Sequence, residues 1–175
     1  MKDNYKLYLR HFILSFIGFG IIYWAFELFE ISKPLAIRLL IKSAIVAFIF
    51  SGLTVYNYIK KLRKNGLSTD DDNLKVKHNN VVMCQKSSEE ILMKITQNAD
   101  FKKMKIHKTK SGYKIYTNYS WGSWGEVIDI NIENRNSENQ QIEISSRPKF
   151  PLTLIDYGKN KENVETITAL IKNVA

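Results

Sequence analysis

Apolar residues crowd into the first sixty positions of the chain and then thin into short alternating runs. Phe12–Phe29 reads FILSFIGFGIIYWAFELF with Glu27 as its one charge, and Leu39–Ile59 reads LLIKSAIVAFIFSGLTVYNYI with Lys42 as its one charge. At 1.5 Å per residue the two runs cover about 27 and 31 Å, close to the thickness of a bilayer's hydrocarbon core. Neither shows the polar face of a soluble helix. The pattern predicts a transmembrane hairpin over residues 1–60, with helices at about 12–30 and 35–59. A signal peptide is disfavoured, because no small-x-small cleavage site follows Tyr23-Trp24-Ala25 and a second apolar run arrives at once.

The link between the runs, residues 30–34, is short, and Pro34 suits the first turn of a helix. A turn near Ser32 and Lys33 sets Glu27 opposite Arg38 and Tyr23 near Lys42; an ion pair between Glu27 and Arg38 is expected to fix the hairpin at the membrane interface. Gly18, Gly20, Ser43, Ala44, Ala47 and Ser51 supply the small side chains that let helices approach closely.

After residue 60 the pattern changes. Residues 61–79 form a basic and then acidic linker, running from the Lys60–Lys64 cluster through Asn65-Gly66 to Asp70-Asp71-Asp72. From residue 80 to 175 short strands and helices alternate. Strands are predicted at 81–85, 103–108, 113–120, 126–133 and 140–146, with a further short edge strand at 152–155. Ser87 with Glu90 reads as a capping box that opens a helix carrying Ile91, Leu92, Ile95 and Ala99 on one face. Asn160 is placed to cap a last helix carrying Val164, Ile167, Leu170, Ile171 and Val174. The expected fold class is α+β: a two-helix transmembrane hairpin, then a small antiparallel sheet with two helices on one face, in the order β-α-β-β-β-β-α.

Charge sets the orientation. The 26 Lys and Arg against 17 Asp and Glu give a net +9. Lys2, Lys6 and Arg10 precede the first apolar run, and Lys60, Lys61, Arg63 and Lys64 follow the second, while the tight link carries Lys33 with Glu30 nearby. A basic excess at both outer ends predicts a multi-pass protein of the inner (cytoplasmic) membrane with both termini in the cytoplasm. The Lys60, Lys61, Arg63 and Lys64 flank is expected to meet anionic headgroups. The lone Cys84 excludes an internal disulfide and suits a reducing compartment.

Candidate chemistry is sparse. His11, His78 and His107 lack metal-ligand spacing, no nucleophile elbow or dinucleotide fingerprint is present, and Cys84 with His107 is the one dyad that folding would have to bring together. No catalytic residue, metal or cofactor is therefore expected. The lysines of residues 94–114 suggest an anionic neighbour, but from residue 65 onward 16 basic residues face 14 acidic ones, so nucleic acid is disfavoured. Two stretches remain. Residues 120–126, SWGSWGE, join two tryptophans and two glycines in a turn; Trp121 and Trp124 either cover one end of the core or form a contact loop. Residues 154–163, LIDYGKNKEN, lead into the last helix; Asp156, Lys159 and Asn160 either cap it or help its N-terminus bind an anion.

The strings SWGSWGEVIDINI, IEISSRPKFP and IDYGKNKENVETI, within residues 113–170, resemble a group of uncharacterised small bacterial membrane-anchored proteins. These carry a Trp-Gly-Glu turn, a Ser-Ser-x-Pro strand end and an Asp-aromatic-Gly-Lys-Asn helix entry. The resemblance implies a shared small α+β domain with a common surface, and it brings no activity and no catalytic residues. The expected function is a membrane-anchored, non-enzymatic interaction or accessory protein that meets a membrane or cytoplasmic protein partner. The alternatives are a tethered sensor of a small anionic ligand at residues 156–160 and an immunity-type membrane protein.

Overall fold

The computed structural model describes residues 2–27, 36–64, 74–119, 123–134 and 140–172. The chain divides into two compact units, Met1–Leu74 and Lys75–Ala175.

The first unit is an antiparallel helix pair, α1 (Lys2–Glu27) and α2 (Ala36–Lys64). Within them Tyr5–Phe26 and Ile37–Lys64 are each long and apolar enough to cross a membrane. Their contacts run in opposite directions: His11 meets Ser51, and a side chain at Gly20 would meet the Ser43 hydroxyl at 3.8 Å. Ser43, Ala47 and Ser51 are buried along this seam, as the small-residue pattern predicts. Gly18 departs from it: a side chain there would meet nothing within 4 Å. His11 Nδ1 lies 3.1 Å from the Ser51 hydroxyl and 3.3 Å from that of Ser15, so the seam also carries a polar clasp. Outward positions are apolar and open, among them Ile17, Ile21, Ile45, Ile49 and Leu53. Lipid accommodates such a surface and water does not.

Both helices outrun their predicted limits. α1 starts at Lys2 rather than near residue 12, since no Pro or Gly interrupts the basic lead-in. α2 continues to Lys64, so Lys60, Lys61, Arg63 and Lys64 belong to a helix rather than to the linker. Tyr58 and Leu62, four apart and fully buried, hold this last turn in place, and cations there favour the negative end of the helix dipole. The Glu27 side chain, the 30–34 link and the linker residues 65–73 lie outside the described residues, and with them the expected Glu27–Arg38 pair.

The second unit is a five-stranded antiparallel sheet with two helices: β1 (His78–Cys84), α3 (Ser88–Gln97), β2 (Lys105–Thr109), β3 (Gly112–Tyr116), β4 (Glu126–Asn134), β5 (Gln140–Pro148) and α4 (Lys159–Lys172). The strand order is β1-β5-β4-β3-β2. The α+β class and the apolar hairpin follow the sequence pattern. Residues 152–155 form no strand: the Thr153 amide bonds back to Phe150 O at 3.1 Å, which turns the chain after β5 instead of extending it.

Alternation places Ile128 and Ile130 of β4, Ile142 and Ile144 of β5, Ile115 of β3 and Val82 of β1 on one face, beneath Ile91 and Ile95 of α3 and Val164, Ile167 and Ile171 of α4. Each buried isoleucine contributes about 1.5–3 kcal/mol of transfer free energy. The capping box at the start of α3 is formed: Glu90 N donates to the Ser87 hydroxyl and Ser87 N to the Glu90 carboxylate at 2.9 Å. The other face is polar, with Asp129 pairing with Lys114 at 3.1 Å. The β2–β3 turn depends on Gly112: its φ is +147° and a Cβ would sit 2.1 Å from Ile130 O, so another residue would clash with β4.

Candidate functional site

The strand alternation that buries the isoleucines also buries polar groups where it reaches one end of the sheet. Glu126 is in phase with Ile128 and Ile130, and Ser146 with Ile142 and Ile144, so both point under the helices. Glu126 is 2% exposed. Its carboxylate accepts hydrogen bonds from the hydroxyls of Thr117 and Ser123, and its own amide donates to Thr117 Oγ1 at 2.7 Å. Burial pushes the Glu126 carboxyl above its ordinary value; the Thr117 hydroxyl and the Lys159 charge work against that shift, and nearby Asp156 works with it.

Asp156 is the second buried carboxylate. Tyr157 and Gly158 adopt left-handed backbone conformations, at φ 54° and 79°, which turn the chain over the Asp156 side chain. One Asp156 oxygen accepts the Gly158 amide at 3.0 Å, and the other accepts the Asn160 amide at 2.9 Å and its Nδ2 at 2.8 Å. Asp156, rather than Asn160, thus caps α4. Asn160 lies inside the first turn, fully buried, and its Oδ1 accepts the Ser146 hydroxyl at 2.6 Å. Asn163 Nδ2 donates to the same hydroxyl at 3.3 Å. The Asn163 side chain also acts on the Glu126 carboxyl, so three segments distant in sequence, around Glu126, Ser146 and Asp156, meet in one buried polar network.

Above this network the surface is aromatic. Trp124 is 69% exposed, Tyr119 74% and Phe150 52%; together with Lys149 they line an open groove of about 350 Å³. Trp124 therefore does not cover the core. The Lys149 ammonium lies 5.2 Å from the Tyr119 ring and donates to Thr117 O at 2.5 Å, while its amide bonds Gly125 O at 2.9 Å. Gly125 has φ +82°, and a side chain there would press on Thr117 O at 3.1 Å, so the backbone turn beneath Trp124 needs glycine. The Gly125 amide also bonds the Ser123 hydroxyl, which itself donates to Glu126. The exposed rings are thereby fastened to the buried carboxylate.

Of the residues singled out in the sequence, Asp156 and Asn160 are joined in the network and Trp124 stands on its outer side. Trp121 lies outside the described residues. Lys159 turns its ammonium to Glu162 at 3.1 Å rather than over the helix end. The amides a small anion would use are already taken by Asp156. Cys84 and His107 lie on β1 and β2, the opposite edges of the sheet, about 19 Å apart at four strand spacings, so the fold makes no dyad of them. Among the described residues no group of three His, Cys, Asp or Glu is placed to hold a metal ion. Thr117, Tyr119, Lys149 and Phe150 are additions to the site, and Glu126, Ser146 and Asn163, which stand within the stretches noted in the sequence, had no role of their own there. The signal for Glu126 and Ser146 was present, as polar residues in register with a run of isoleucines.

Comparison with family models, with curated proteins and with solved structures finds no match.

Proposed function

We propose that the chain is a membrane-anchored, non-enzymatic accessory protein that presents a small α+β unit at the cytoplasmic surface of the bilayer. Helices α1 and α2 hold it in the cytoplasmic membrane with both termini inside. The Trp124 groove is its contact surface. The observation that carries this reading is the exposed Tyr119, Trp124 and Phe150 cluster standing on a saturated buried network, in a chain that also holds two outwardly apolar helices. Such a network stiffens a surface for contact. Its two carboxylates are enclosed and already hydrogen-bonded, an arrangement suited to support rather than to turnover.

The basic residues Lys2, Lys6 and Arg10 before α1, and Lys60, Lys61, Arg63 and Lys64 at the end of α2, support the inward placement of both ends. Asp156 weighs against the anion-sensing alternative, because an incoming anion would have to displace a carboxylate that holds three hydrogen bonds. The test is extraction of membranes with alkaline carbonate, combined with protease treatment of intact spheroplasts. The protein should stay with the membrane and its α+β unit should be cut only after lysis. Release by carbonate, or cleavage from outside, overturns the reading.

A further inference from the structure

We infer that the Tyr119–Trp124–Phe150 patch is an interfacial anchor that seats the α+β unit on the headgroup layer of the bilayer holding α1 and α2. This inference rests on the membrane anchoring proposed above.

The chemistry of the patch comes first. Trp and Tyr concentrate at membrane–water interfaces because an apolar ring and a polar tip suit the boundary, and lysine keeps an ammonium among the headgroups. Here Trp124, Tyr119 and Phe150 line one groove with Lys149, whose ammonium lies 5.2 Å from the Tyr119 ring, and the exposed Leu152 stands two residues beyond Phe150. The Lys149 ammonium and the Ser123 hydroxyl beside the rings already hold bonds, to Thr117 O and to Glu126, so lipid around the rings leaves these two groups paired.

Reach completes the argument. Thirteen residues separate Lys64 from His78, and a fully extended chain of that length spans at most about 45 Å. Once α2 is in the membrane, the domain stays within that distance of the headgroups. Weak contacts become occupied at such an effective concentration.

The experiment uses the full-length chain with Trp24→Phe and Trp121→Phe, leaving Trp124 as the reporter, in vesicles of phosphatidylcholine and phosphatidylglycerol. Lipids brominated along the upper acyl chain should quench its emission, the emission should shift to the blue, and aqueous iodide should have little access. Hydrogen exchange of the unmodified chain gives a reading independent of these substitutions. Amides of residues 117–126 and 147–152 should exchange more slowly in vesicles than in amphipol, while those of β1 stay the same. Quenching by iodide without quenching by bromolipid overturns the inference, as does unchanged exchange. Shielding from both quenchers also overturns it, in favour of a protein surface such as a second copy. Release by alkaline carbonate marks failure of the anchoring itself, whereas retention with Trp124 open to iodide marks failure of the patch alone.

Discussion

The carboxylate of Asp156 holds Asn160 twice, through its backbone amide at 2.9 Å and its side-chain Nδ2 at 2.8 Å. One side chain thus caps α4 and orients the buried amide that accepts from Ser146. Asp156→Ala removes these two bonds and the one from the Gly158 amide, and leaves the buried Asn160 donors unpaired, which costs about 1–3 kcal/mol. Lys159→Ala, which breaks the exposed pair with Glu162 and removes a charge near Glu126 but no hydrogen bond of the network, should cost less than about 1 kcal/mol. Pulse proteolysis of the full-length protein in increasing urea measures both. Equal losses would show that the Asp156 contacts contribute nothing beyond surface charge.

Glu126 gives the domain a pH dependence of definite sign. Burial raises its folded-state value above the ordinary 4.5, so the folded chain holds this proton more tightly than the unfolded one. The resulting stability is fully present below the unfolded value and is lost as pH rises through the raised folded value. Glu90 shifts the other way, because its bond with the Ser87 amide holds it below its ordinary value, so it acts below that window. Glu126→Gln should flatten the stability profile from about pH 4.5 upward. Urea midpoints across that range test this, and a variant profile as steep as the parent's would count against it.

Gly112 is the tightest point of the sheet. A methyl group there meets Ile130 O at 2.1 Å on a backbone with φ +147°. Gly112→Ala should cost at least about 3 kcal/mol, because the β3–β4 ladder must part to admit it. A urea midpoint within error of the parent's would show that the ladder relaxes freely.

In the helix pair, a side chain at Gly20 would face Ser43 at 3.8 Å, whereas one at Gly18 would meet nothing within 4 Å. Gly20→Cys with Ser43→Cys, in a Cys84→Ala background, should form an intramolecular disulfide in membranes under mild oxidation. Gly18→Cys with Ser43→Cys should remain reduced. Gel mobility after cleavage in the α1–α2 link reads the difference, and crosslinking of the second pair would refute the register.

Where local pattern and tertiary environment coincide, the chain was legible. The apolar runs, the Ile128, Ile130, Ile142 and Ile144 alternation and the Ser87–Glu90 capping box each state their structure within a few residues. The limits of α1 and α2 were not, because charged residues outside a lipid-compatible stretch can still extend a helix, as Tyr58 and Leu62 do for Lys60–Lys64. At residues 152–155 the backbone turns back on itself, the Thr153 amide held by Phe150 O, a bond that local alternation does not report. The polar network was half visible: Asp156 carried the signature of a cap, while the Thr117 and Ser123 bonds to Glu126 exist only once β3, β4 and the turn between them are in place. The exposure of Trp124 likewise depended on which side of Gly125 the backbone turned.

The pairing of β1 with β5 sets a sequence of events during synthesis. His78 lies opposite Ser146, partners about 70 residues apart along the chain. The strand that leaves the ribosome first waits for the last one before its hydrogen bonds can close, so contact order is high for a unit of this size. By then both apolar helices have long since emerged. The domain completes its sheet as an already tethered chain, and a truncation before Gln140 leaves Val82 and Cys84 without the strand they pair with.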